Sequence, residues 1–325
     1  MYIIGIDGGG TKTKGVIATE AGTIIAQATV GASNPNNVKK EDLKRELDKL
    51  IDMLKTESKD AFKEVKRVYA GMSGVDHPSA RKEMKELLES LLPQTIPVTV
   101  NNDAITALYS GTLGKPGVVQ IAGTGSITFG LNGEGLLDRV GGWGYLLGEG
   151  GSGFAVGSEG LQEAFRAHDG LGDRTELTIL LCDHFEVQNL PDIIHTIYNA
   201  VNPKKLIASL SRHVFTAADH GDKVAQAIIQ KNANHIGEAV SCLINKQFSE
   251  KERANEIPVV LAGGLFNRLD LFKGPMEEIF EKYSIKAKLI RPGIEPVGGA
   301  VIAGLLEENI EVDEGFIKQF IGRGI

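Results

Sequence analysis

Two cysteines in 325 residues, Cys182 and Cys242, lie far apart in helical patterns. They give no support to a disulfide framework or a thiolate metal cage. No run of about 18 apolar residues occurs, so no segment reads as a membrane-spanning helix. The chain reads as a strand from Tyr2 with no basic, apolar leader before it, so no signal peptide is expected and the cytoplasm is the expected compartment. Positive charge is not in excess: 35 Lys and Arg face 42 Asp and Glu, a net charge of −7 with no basic stripe. Nucleic acid and anionic membrane are therefore not expected as partners. Two familiar phosphate-binding patterns are also missing. The opening glycines lack the P-loop ending Gly-Lys-Ser/Thr, they do not spell G-x-G-x-x-G, and they feed a strand rather than a helix.

What the chain has in quantity is glycine, 40 residues, clustered rather than periodic. That is well above the roughly 7% average usage and points to several tight turns. The order of elements indicates an α/β architecture. Tyr2 to Ile6, Lys14 to Thr19 and Gly22 to Val30 are β-branched runs separated by turn residues. A helix follows with Leu43, Leu47, Leu50, Ile51 and Leu54 on one face. Then come a strand at Val65 to Met72, a helix at Ser79 to Leu92, a strand at Val98 to Val100 and a short helix from Ala104. Gly114 to Gly117 reads as a domain boundary. After it, "VVQIAGTGSITFGL" (118 to 131) repeats the opening theme of strand, glycine turn, strand, which suggests an ancient duplication. Residues 152 to 248 read as mostly helical. "IPVVLAGGLFNRLDLF" (257 to 272), a strand at Ala287 to Ile290 and a helix at Val297 to Leu306 complete the pattern.

Three glycine turns at strand ends are candidate phosphate sites. In the first, Gly8, Gly9 and Gly10 can take φ > 0 and gather their N–H groups into an anion nest. Thr11 would add a hydroxyl and Lys12 a charge, and Asp7 could hold a hydrated Mg²⁺. The alternative is a plain hairpin with spare glycines. The second turn, "AGTGS" at Ala122 to Ser126, and the third, "LAGGLFN" at 261 to 267, could equally be close-packed turns. Taken together, the three favour nucleotide phosphate handling. Asp103, after Asn101 and Asn102 at a strand–helix junction, is either an N-cap or a general base for a substrate hydroxyl; the two roles are compatible. "GGWGYLLGEGGSG" (141 to 153) surrounds Trp143 with glycines, so the indole either faces a sugar ring or packs into the core; Glu149 is an acceptor suited to sugar hydroxyls. Asp76 is ambiguous and His77 reads as a turn residue.

The segments "DGGGTKT" (7 to 13), "AGMSGVD" (70 to 76), "NNDAITAL" (101 to 108), "IAGTGS" (121 to 126), "GGWGYLLGEGGSG" and "VVLAGGLFNR" (259 to 268), in that order, carry a resemblance. The chain resembles the N-acetylglucosamine kinase group of the BadF/BadG/BcrA/BcrD ATPase family, within the sugar kinase–heat-shock ATPase–actin superfamily. The resemblance implies two ribonuclease H-like α/β domains of the actin-like ATPase fold with an interdomain cleft, residues 1–114 and 115–325. The second would carry a helical insertion, and its final helix (about 297–309) would return to the first. It implies ATP and Mg²⁺, an amino sugar as substrate and a homodimer. Asp7 would organise the metal, and Gly8, Gly9, Gly10, Thr11 and Lys12 the terminal phosphates. Thr124 and Gly125 would form the second phosphate turn, with Gly263, Gly264 and Arg268 at the nucleotide. Asn34, Gly125, Ser126, Gly142, Trp143, Gly144 and Glu149 would contact the sugar, with Asp103 as the catalytic base. One departure stands out. Where relatives commonly read Gly-Asp-Glu-Gly-Ser, this chain has Gly148-Glu149-Gly150-Gly151-Ser152, a departure that bears on its sugar preference. The expected reaction is phosphoryl transfer to the 6-hydroxyl of N-acetylglucosamine, with glucosamine or N-acetylmuramic acid as alternative substrates. The rival activities are ATP-driven activation of a 2-hydroxyacyl-CoA dehydratase, which would require cluster-bridging cysteines, and sugar-responsive regulation without catalysis.

Overall fold

The computed structural model describes residues 1–148 and 150–322. The chain forms two compact units, residues 1–117 with 290–325, and residues 118–289. The first unit is built on β1 (Tyr2–Gly8), β2 (Thr13–Thr19), β3 (Ile24–Val30), β4 (Val65–Met72) and β5 (Val98–Asn102). They form one sheet in the order β3-β2-β1-β4-β5. β1 to β3 make an antiparallel meander, while β4 pairs parallel with both β1 and β5. The short β1–β2 and β2–β3 links permit only hairpins, whereas the helices Lys40–Glu57 and Pro78–Leu91 supply the crossovers that parallel pairing needs.

Helix Lys40–Glu57 buries Leu43, Leu47, Leu50, Ile51 and Leu54, the five residues its 3.6-residue periodicity marks. They pack with β-sheet residues Ile4, Ile6 and Ile17. Leu50 is fully buried, so Leu50→Ala should cost about 2–5 kcal/mol. The opposite face of the sheet is covered by helices Pro296–Glu307 and Glu314–Ile321, through Val297, Val301, Phe316 and Phe320 against Ile3 and Val16. Helix Pro296–Glu307 also lies against helix Asp103–Thr112. There Gly299 is required, because a Cβ on it would stand 1.8 Å from the Thr106 carbonyl oxygen.

The second unit uses β6 (Gly117–Ala122), β7 (Ser126–Leu131), β8 (Leu137–Gly141), β9 (Ile257–Ala262) and β10 (Ala287–Ile290) in the order β10-β9-β6-β7-β8. Read from the other edge, this is the third, second, first, fourth and fifth strand of its own unit, the same order as in the first sheet. β7 and β8 are antiparallel; β6 and β9 are parallel. The shared strand order fits a duplication better than the weak sequence identity does. β8 was not anticipated from sequence. Helices from Gly153–His168 through Lys223–Gln247 fill the connection between β8 and β9.

In both units, parallel pairing aligns the carboxyl ends of the strands. Gly8 is level with Met72, and Met72 with Asn102. Ile121 is level with Ala262. The glycine turns and Asp103 therefore emerge at the carboxyl edges of their sheets, where open α/β sheets bind ligands.

Candidate active site

In the first unit the opening turn closes on a hydrogen bond from Gly9 N to the Lys12 carbonyl, 3.0 Å. It is anchored from both sides. Ser73 N donates to the Gly8 carbonyl at 2.8 Å, and Ser33 N to the Gly9 carbonyl at 3.1 Å. Thr13, buried one residue after the turn, donates its hydroxyl to the Gly31 carbonyl at 2.8 Å and lies 2.7 Å from Ser33 Oγ, whose hydroxyl it can accept. Gly10, Thr11 and Lys12 are left exposed at the tip. The sequence reading of left-handed glycines needs correction here: Gly8, Gly9 and Gly10 do not adopt positive φ. The turn gains its open backbone from missing side chains, not from a nest of left-handed residues.

Asp7, next to last in β1, lies opposite Lys14. Burial first, then the charges of Asp103 and Glu295, push its carboxyl up to about 7 against the pull of Lys12 and Lys14. Lys14 is itself ion-paired to Glu295. This is a site with more negative charge than its lysines neutralise, which suits a divalent cation. Among the described residues no group of three or more His, Cys, Asp or Glu side chains is placed to cage a metal. The donor set fits Mg²⁺, which binds proteins through one or two carboxylates and keeps its remaining ligands as water and phosphate oxygen.

Asp103 is the first residue of its helix, and it is not the cap. Asn102 takes that role, its side-chain oxygen accepting from Ala104 N at 2.7 Å while its amide nitrogen donates to Asp76. Burial, then the nearby Asp76 charge, raise the Asp103 carboxyl to about 6, while its own and Ala104's backbone N–H groups pull it down. It is close enough to Asp7 for the two charges to repel. Asn34, on a neighbouring loop, forms an Asx turn, its side-chain oxygen accepting from Asn36 N at 2.9 Å.

In the second unit, the Gly123–Gly125 turn closes on Gly123 N to the Gly125 carbonyl, 2.9 Å. Its outward carbonyls receive the first amides of helix Gly153–His168: Gly153 N donates to Gly123 O at 2.7 Å and Phe154 N to Thr124 O at 3.2 Å. Ser152 caps that helix, accepting from Ala155 N at 3.0 Å. Ser126 Oγ accepts from Gln120 Nε2 at 2.8 Å. Gly263, at φ 103°, passes so close to β6 that a Cβ would lie 2.3 Å from the Ala122 carbonyl oxygen. A cavity of about 550 Å³ opens between these turns, lined by Thr124, Gly153, Lys205, Arg212, Gly264 and Arg268 among others. Arg268 reaches this wall with its guanidinium already held by Asp219 (2.8 and 2.9 Å) and Asp270 (2.7 and 3.0 Å).

Gly142 and Gly144, both at positive φ, carry Trp143 outward; the indole is 63% exposed, with the Arg139 guanidinium 4.3 Å from its ring centroid. The core-packing alternative for Trp143 is thus excluded. Glu149 lies outside the described residues. Sequence reasoning did not single out Glu295, Lys205 or Arg212, which stand far from the glycine motifs and take their meaning only from the fold.

These features define the class: ribonuclease H-like α/β units of the actin-like ATPase type, with glycine turns at the carboxyl ends of their sheets. The family profile of the BadF/BadG/BcrA/BcrD ATPase family matches residues 4–304, and the chain belongs to that family. An N-acetyl-D-glucosamine kinase of Dictyostelium discoideum is 34% identical over 312 residues, spanning 93% of this chain and 97% of its own. An N-acetylmuramic acid/N-acetylglucosamine kinase of Clostridium acetobutylicum is 31% identical over 301 residues, with coverages of 93% and 97%. Among solved structures, a provisionally assigned N-acetylglucosamine kinase of Chromobacterium violaceum has a TM-score of 0.71 at 25% identity, covering 93% of this chain and 98% of that one.

Proposed function

We propose that this chain is an ATP-dependent amino-sugar kinase that transfers the γ-phosphoryl group to the 6-hydroxyl of N-acetylglucosamine. One observation carries the reading: Asn102 caps the helix, and the Asp103 carboxyl, held by its own and Ala104's backbone N–H groups, stands close to Asp7. A carboxylate with its pKa at about 6 is ionised at neutral pH yet basic enough to take a proton. Asp103 accepts the proton of the attacking sugar hydroxyl, a contribution of roughly 10²–10⁴ in rate. The backbone of Gly8 to Gly10, with Thr11 and Lys12, meets the terminal phosphates. Thr124 and Gly125 serve the second phosphate turn; Gly264 leaves open cavity space for the adenosine, and Gly263 lets that turn lie tight against β6. Asp7 would hold Mg²⁺, in part through water, and the ion would supply positive charge to offset the charge that develops on the transferred phosphoryl group. Trp143, presented by Gly142 and Gly144, offers its face to the sugar ring, and Asn34, Gly125, Ser126 and Glu149 complete the sugar contacts.

The same reading makes the enzyme a cytoplasmic homodimer whose partners are ATP and a free sugar. Among the described residues, no helix is long and apolar enough to cross a membrane. N-acetylmuramic acid is the second substrate to test, because a relative at 31% identity is named for both sugars. A coupled assay of ADP release against a panel of free hexosamines decides the matter. N-acetylglucosamine should give the highest kcat/KM. Absence of sugar-stimulated ADP release across the panel would refute the kinase reading.

A further inference from the structure

The cavity between the Thr124 and Gly264 turns has three cations on its wall, Lys205, Arg212 and Arg268, and no carboxylate among its described lining residues. The three are not equivalent. Arg268 makes four hydrogen bonds to Asp219 and Asp270, so its charge is neutralised in place. Lys205 and Arg212 have no carboxylate partner among the described residues. Arg212 is instead held by two imidazoles: Nη2 lies 3.2 Å from His184 Nδ1, and Nε lies 3.4 Å from His213 Nε2, with the two rings 4.7 Å apart. Burial, then the charges of His184 and Arg212, push His213 down to about 4; burial and Arg212 likewise lower His184. Both rings are neutral at physiological pH. They can accept from a guanidinium and fix its direction without cancelling its charge. Two of its five N–H donors are engaged in this way, and the rest remain available.

An arginine oriented by neutral acceptors on the wall of a carboxylate-free cavity is an anion receptor. Its planar fork matches phosphate oxygens better than a point charge does. The cavity also contains Gly153, the first residue of a 16-residue helix, so the helix dipole favours negative charge at the same place.

We propose that Arg212, steered by the His184–His213 pair, grips the phosphate chain of the adenine nucleotide, and that Arg268 serves only to shape the wall. This rests on the kinase reading, which brings ATP to this cavity. Calorimetric titration of the whole protein with ADP and with adenosine separates the possibilities. Arg212→Gln should weaken ADP roughly tenfold, the loss of one charged hydrogen-bonded contact. It should leave adenosine within about twofold and flatten the salt dependence of ADP binding. Arg212→Lys, which keeps the charge but loses the fork and both imidazole contacts, should bind ADP more weakly than the unaltered protein and more tightly than Arg212→Gln. His213→Phe should weaken ADP but not adenosine, because the guanidinium loses its guide. Unchanged ADP binding by Arg212→Gln, or equal losses for ADP and adenosine, would overturn the proposal and leave the kinase reading intact. Failure of the unaltered protein to bind either ligand would instead remove the kinase reading, and the proposal with it.

Discussion

Replacing Asp103 with asparagine should remove activity and stabilise the protein at the same time. The ordinary aspartate value of 3.8 is raised to about 6 in the fold, mainly by burial. At about 1.4 kcal/mol per pKa unit, holding the ionised carboxylate there costs about 3 kcal/mol at pH 8. The sign follows from the direction. A carboxyl whose folded value is raised stabilises the fold at low pH, and that stability is lost as pH rises through the folded value. Asparagine has the shape without the charge, and it also relieves Asp7, whose own carboxyl is raised in part by Asp103. For a unit of this size, 3 kcal/mol corresponds to a rise in Tm of roughly 5–10 °C. The assay is thermal unfolding of the ligand-free unaltered protein and Asp103→Asn at pH 8 and pH 5. The difference should shrink to about half at pH 5, where the native Asp103 is mostly protonated. Turnover should fall by a factor of roughly 10²–10⁴. A variant that is less stable at both pH values, or one that keeps near-normal turnover, would show that Asp103 is a structural residue and not a poised base.

Three further outcomes follow from the same geometry. Trp143→Ala should raise the sugar KM roughly tenfold with Tm nearly unchanged, since the indole is mostly exposed; an unaltered KM in steady-state kinetics would remove Trp143 from the sugar site. The pH profile of kcat/KM should rise through about pH 6 as Asp103 loses its proton, and a profile flat from pH 5 to 8 would contradict its role as base. Gly263→Ala should lower Tm and abolish nucleotide binding, because the new methyl would meet the Ala122 carbonyl oxygen at 2.3 Å and the backbone is left-handed there; a strain of roughly 1–3 kcal/mol or more is expected, and a variant that melts like the unaltered protein would show that the turn relaxes.

Much of this architecture was legible in the amino-acid order. The five buried positions of helix Lys40–Glu57 are the five its periodicity marks. The strand, glycine turn, strand theme at 118 to 131 led to a second sheet with the strand order of the first. β8 escaped because none of its residues is fully buried, so it carries no alternating apolar signal. In the Asn101-Asn102-Asp103 run the sequence reading puts the N-cap at Asp103, and the hydrogen bond from Ala104 N moves it one position back to Asn102. Glu295 stands beside Asp7 through the packing of helix Pro296–Glu307 against β1, a proximity no local pattern could encode. Arg212 was invisible for a related reason: its isolation from carboxylates is a property of the folded wall, not of its neighbours in sequence.

The central claim is that Asp103 draws a proton from a sugar hydroxyl while ATP gives up its terminal phosphoryl group. Phosphorus NMR of the protein with ATP, Mg²⁺ and N-acetylglucosamine tests it most directly. A sugar 6-phosphate signal should grow in step with ADP, and Asp103→Asn should reduce that growth by at least a hundredfold. Release of inorganic phosphate with no sugar ester, or an ester formed at an undiminished rate by the variant, would contradict the account.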